Sequence, residues 1–252
     1  NRPADAEPIM RSRLQRLPMD VAAMCLLADV VARNGLLNDA ETLLSRCLAL
    51  SPSYRAARQN YAVLLMWQNR PTEALKECDR LLATAPKDPG ALNVKANILR
   101  RLGEYEDCVH IYEGVLDRDS QQPKVWTSLG HTLRTLGRTE ECVGAYRKAI
   151  ILAPHGGEAW WSLANIKPSP VADSDIAAMR LQLEAPDLTL EDRIHFHFAI
   201  GKAFEDRNEF DESFRHYADG NSLFHQTVRY DPAEMTDLVH RSKALFNPAF
   251  FA

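Results

Sequence analysis

Residues 125–154 read "VWTSLGHTLRTLGRTEECVGAYRKAIILAP", and their spacing decides the fold. Trp126, Leu129, Leu133 and Leu136 fall at helical intervals. Val143, Tyr146, Ala149 and Ile150 do the same beyond the glycine at 137. The stretch is therefore a helix, a tight turn, a second helix and a closing turn at Pro154. Each mark returns upstream at a stride of 34 residues. Small residues stand at Ala40, Ala74, Cys108 and Cys142, and turn residues at Pro18, Pro52, Pro86, Ser120 and Pro154. A third series runs Gly35, Asn69, Gly103 and Gly137.

The three series have separate physical causes. Glycine or asparagine suits the residue just past a helix end, where φ turns positive. Proline cannot continue a helix and fixes its own φ. A small residue lets the second helix lie close against the first, as do Ala28, Ala62 and Ala96 on the first helices. The expected fold is all-α, a superhelical solenoid of helix-turn-helix units.

The 125–154 unit resembles a tetratricopeptide repeat, with Trp126, Leu129, Gly130, Tyr146, Ala149 and Pro154 on the repeat's characteristic positions and Cys142 in place of its usual alanine. Repeats beginning near Val21, Arg55 and Pro89 match less fully. The reading divides the chain as follows: 1–20, the second helix of a truncated repeat; 21–154, four regular repeats; 155–187, an atypical repeat broken by Pro168 and Pro170; 188–229, a repeat-like unit; 230–252, a C-terminal helix and junction to a missing domain. In 188–229, Gly201, Asn208, Ser213 and Tyr217 take up repeat positions again, with Ser213 two periods plus three after Cys142. Ile9, Met10 and Leu14 are expected at an incompletely covered apolar edge.

The stretches "AWWSLANIKPSP", "HFAIGKAFEDRNEFDESFRHYADGN" and "FNPAFFA" resemble the region preceding the catalytic domain of bacterial tetratricopeptide-repeat sulfotransferases, over roughly residues 157–252. The resemblance implies a catalytic domain beyond residue 252 that uses the phosphosulfate donor PAPS, and a substrate-recruiting role for the chain itself. The alternative is a free-standing adaptor or chaperone-type scaffold, in which residues 231–252 form a cap shielding the last repeat.

Composition is that of an ordinary soluble globular chain. The 252 residues are 46% hydrophobic and 25% charged with a net charge of −4, which argues against a nucleic-acid partner. No apolar run is long enough to cross a bilayer. Five widely spaced cysteines without a CxxC point to a reducing, cytoplasmic setting. No nucleophile constellation, metal cluster or phosphate loop is present, so neither catalytic residues nor a cofactor are expected in these residues. His195 and His197, two apart on a helix, point about 200° from each other and cannot share an ion from one face. Carboxylate pairs Glu140–Glu141 and Asp173–Asp175 fall at helix starts, where the dipole favours them.

A protein or peptide ligand is expected along the first helices. There repeat position selects Asn60, Asn93, Asn97, Arg100, Arg101, Lys124, His131, Arg134, Trp161 and Asn165. Asparagine can bond a peptide backbone through both donor and acceptor, and arginine can pair with carboxylates. A solvated polar face without ligand is the competing reading, and the Lys/Asn/Arg set of a carboxylate clamp is only partly present. Of the adjacent Trp160 and Trp161, the second is expected to carry the exposed ring.

Overall fold

The computed structural model describes residues 3–228, 231–247 and 250. Among these residues every regular element is helical: α1 Pro3–Arg16, α2 Val21–Arg33, α3 Leu37–Leu50, α4 Arg55–Trp67, α5 Pro71–Thr84, α6 Pro89–Leu102, α7 Tyr105–Leu116, α8 Pro123–Thr135, α9 Thr139–Leu152, α10 Gly157–Ala164, α11 Asp173–Leu183, α12 Leu190–Asp206, α13 Phe210–His225 and α14 Pro232–Leu245. None is long and apolar enough to cross a membrane. The chain forms two compact units, residues 1–153 and 154–252.

In the first unit, α2/α3, α4/α5, α6/α7 and α8/α9 are antiparallel pairs, with α3, α5 and α7 also packing on the next first helix. The turn series behaves as the sequence requires. Gly35, Gly103 and Gly137 have φ of 83°, 88° and 74°, and Asn69 and Asn208 hold 60° and 61°. The small-residue series is fully buried: Ala28, Ala62 and Ala96 on first helices, Ala40, Ala74, Cys108 and Cys142 on second ones. At Gly130 the approach is closer still, since a Cβ there would lie 2.5 Å from the ring of the buried Tyr146.

A further recurring bond ties three first helices, α4, α8 and α10, to the turns before them. Arg58 donates to the Pro52 carbonyl (2.5 Å), Trp126 Nε1 to Ser120 (2.9 Å) and Trp160 Nε1 to Pro154 (3.0 Å), each reaching back six residues. Two first helices are also capped by aspartate: Asp20 accepts from Ala23 N–H and Asp88 from Ala91 N–H. At the N-terminal end the expected bare edge is smaller than the sequence suggests. Ile9 is exposed, but Met10 and Leu14 pack on the cluster formed by Met24, Leu27, Ala28 and Leu44.

The second unit departs from this pattern. α10 stops at Ala164 after eight residues, four before the Pro168 that disfavours helix at its predecessor. It packs chiefly on α12 rather than pairing with α11. Gly157 makes this possible, because a Cβ there would meet the Asp192 carbonyl at 2.6 Å, and its N–H donates to Asp192 Oδ1 at 2.8 Å. α11 opens with Asp175 accepting from Ala172 N–H (2.8 Å), and Glu140 and Glu141 occupy the first turn of α9. α12 and α13 form a pair like those of the first unit, with Gly201 against Tyr217 as Gly130 is against Tyr146.

α14 is helical but buries none of its residues. Its Met235, Leu238, Val239 and Leu245 are exposed. Residues 229–230, 248–249 and 251–252 of the expected junction lie outside the described residues.

Candidate peptide-binding trough

α4 and α6 pack side by side as successive first helices and leave a trough of about 360 Å³ between them. Val63, Met66 and Trp67 line it from α4, and Val94, Asn97, Arg100 and Arg101 from α6. The floor is apolar and Trp67 is half exposed. Arg101 donates to Asn69 Oδ1 at 3.0 Å, which fixes its stem along the rim. Asn97 Nδ2 donates to the Asn93 carbonyl one turn earlier, leaving Oδ1 to accept from a ligand. Among the described residues no acidic side chain lines the trough.

The structure thus brings together three of the residues singled out by repeat position: Asn97, Arg100 and Arg101. The others are placed differently. Asn93 is exposed one turn before Asn97. Asn60 is half buried and donates to Cys25 Sγ at 3.4 Å, so it serves the contact between α4 and α2. Lys124 is exposed in the first turn of α8, and Arg134 in its last turn. His131 stands edge-on to Tyr146, ring centroids 5.5 Å apart.

Two of the ten lie in the second unit. Trp160 is the buried ring of its pair, while Trp161 is half buried and lines a separate pocket with Phe198, 5.6 Å between centroids. Asn165 Nδ2 donates to the Trp161 carbonyl. Sequence reasoning passed over Val63, Met66 and Trp67. The available signal was Trp67, an apolar residue on the register where Arg33 and Arg101 stand.

Burial removes the cysteines from chemistry. All five are buried, desolvation pushing the Cys25 thiol up to about 11 and Cys78 to about 12. A thiolate nucleophile needs the opposite shift. Among the described residues no group of three His, Cys, Asp or Glu side chains is arranged to hold a metal ion. His195 and His197 do diverge, and His197 instead meets His216 across the α12/α13 pair, Nδ1 to Nδ1 at 3.3 Å.

That pair makes stability depend on pH. Burial, then the neighbouring His197 and Arg180, holds His216 down to about 4, and burial also lowers His197 despite Asp219. The folded state therefore binds fewer protons than the unfolded chain, whose histidines titrate near 6.5. Stability contributed by the neutral pair is complete above about pH 6.5 and is lost as pH falls toward 4. The urea midpoint should drop across that window, and His216→Gln should flatten the drop. An equal drop in the variant would assign the effect elsewhere.

The family model described as "Tetratricopeptide repeat" matches residues 33–98, and that described as "Anaphase-promoting complex, cyclosome, subunit 3" matches residues 67–149. Among solved structures, YrrB, described as a TPR protein with an unusual peptide-binding site, superposes with a TM-score of 0.51 at 11% identity, over 82% of this chain and 96% of its own. MamA gives 0.48 at 13% identity, over 81% and 98%. The helix pairs, their 34-residue stride and the two family models agree: the chain carries a tetratricopeptide-repeat region.

Proposed function

We propose that the chain is a protein- or peptide-binding scaffold whose α4/α6 trough holds an acidic segment bearing a bulky apolar side chain. The observation that carries this is an apolar floor beneath Arg100 and Arg101, with no carboxylate lining the trough to neutralise them. The peptide-binding description of YrrB, a protein of similar fold, supports the same reading. The test is anisotropy titration of a fluorescent peptide carrying a leucine flanked by glutamates. Arg100→Glu with Arg101→Glu should weaken it by more than about tenfold, and wild-type affinity should fall steeply with salt. Unchanged affinity in the double variant would end the proposal for this trough.

The finer part of the proposal is that the scaffold recruits a substrate for a sulfotransferase domain encoded beyond residue 252, with PAPS as that domain's donor, in the cytoplasm of a bacterium. Its support is the resemblance of residues 157–252 and the unburied α14, which suits a connection onward better than a cap. Reading the codons after 252 tests it: a phosphosulfate-binding loop is expected, and a stop codon there would leave the free-standing adaptor.

A further inference from the structure

The second unit holds a pocket that differs in charge and composition from the trough. It encloses about 540 Å³, within the range of roughly 300–1,000 Å³ usual for ligand pockets. Trp161 of α10, Leu190, Glu191, Ile194 and Phe198 of α12, and Phe224 of α13 line it. Ile194 is the buried floor, and Leu190 and Phe224, 40% and 49% exposed, form an apolar rim.

Its wall is built rather than incidental. Phe198 stands between Trp161 and Tyr217, at centroid distances of 5.6 and 6.3 Å. Gly220 leaves the space the Phe198 ring fills, since a Cβ there would lie 2.9 Å from it. Three aromatic rings and two aliphatic side chains thus surround an opening in which Glu191 supplies the carboxylate. The neighbouring Asp192 is occupied: its carboxylate accepts from Gly157 N–H and the Thr189 hydroxyl, and its own N–H donates to Thr189 Oγ1.

We propose that this pocket is a second recognition site, for a partner segment presenting a large apolar side chain beside a lysine or arginine. The apolar group fills the space between the rings. The adjacent cation meets Glu191 and the aromatic faces, which attract positive charge. The trough repels such a segment through Arg100 and Arg101, so the two sites select opposite charge.

The test uses the full chain and three fluorescein-labelled decapeptides with the cores Lys-Phe-Lys, Glu-Phe-Glu and Lys-Ala-Lys, followed by anisotropy. Lys-Phe-Lys should bind at least about tenfold more tightly than either of the others. Glu191→Lys and Phe224→Ala, both at exposed positions, should each weaken it about tenfold with helical circular dichroism unchanged. Arg100→Glu should not weaken it. Equal binding of Lys-Ala-Lys, or indifference to both pocket variants, overturns the proposal. Loss on Arg100→Glu overturns it too, by moving the peptide to the trough. The glutamate-flanked leucine probe of the trough is read separately, so failure of one site leaves the other standing.

Discussion

Gly157→Val is expected to destabilise the second unit by about 3 kcal/mol or more, above the ordinary range of about 1–3 kcal/mol for overpacking. The reason is what the added carbon would strike. Its first methyl-bearing atom would sit 2.6 Å from the Asp192 carbonyl oxygen, 2.7 Å from His195 Cβ and 3.0 Å from Asp192 Cα. Two of those three atoms are backbone in the first turn of α12 and cannot rotate away. α10 must then separate from α12, which opens the buried contacts of Ala159, Trp160 and Leu163. The measurement is a urea unfolding curve followed by circular dichroism. Gly144→Ala serves as control: no atom lies within 4 Å of its Cβ position, so the substitution should stabilise α9 by up to about 1 kcal/mol through helix propensity. Should Gly157→Val unfold at the wild-type midpoint, the close α10–α12 packing described above is wrong.

Gly130→Leu should cost about 3 kcal/mol. Here the obstacle is a side chain, the Tyr146 ring, whose nearest atoms lie 2.5 and 2.6 Å from the Cβ position. A ring could in principle swing aside, but Tyr146 is fully buried and His131 rests against it. A double-mutant cycle separates this clash from any general effect on helix α8. Combined with Tyr146→Ala, which empties the space, Gly130→Leu should be markedly less damaging than alone, a coupling of about 1 kcal/mol or more. Strict additivity would show that the leucine does its harm elsewhere.

These two glycines also show how far the sequence could be read. Gly130 and Tyr146 lie on a 34-residue stride, so helix pairing, turn positions and the buried small residues followed from periodicity alone. Gly157 also sits on helix-forming sequence, but its role depends on α12, 35 residues later and beyond the point where the stride is lost. No local rule announces a contact between elements whose register has slipped. The candidate residues divide the same way. Repeat position placed Asn97, Arg100 and Arg101 on one trough, because it tells which face a helical residue occupies. It did not foresee the Asn60 bond to a neighbouring sulfur, because bonding partners are set by the adjacent helix. It also overlooked Val63, Met66 and Trp67, since apolar residues on a helix are read first as core.

The buried cysteines have a use that packing alone does not suggest. Cys25, Cys47, Cys78, Cys108 and Cys142 each sit on a different helix, α2, α3, α5, α7 and α9, and none is more than 4% exposed. An alkylating reagent reaches such a sulfur only when its own helix opens. The first unit therefore carries five native reporters, spaced along the array, from which breathing of successive layers can be timed by mass spectrometry without introducing a label.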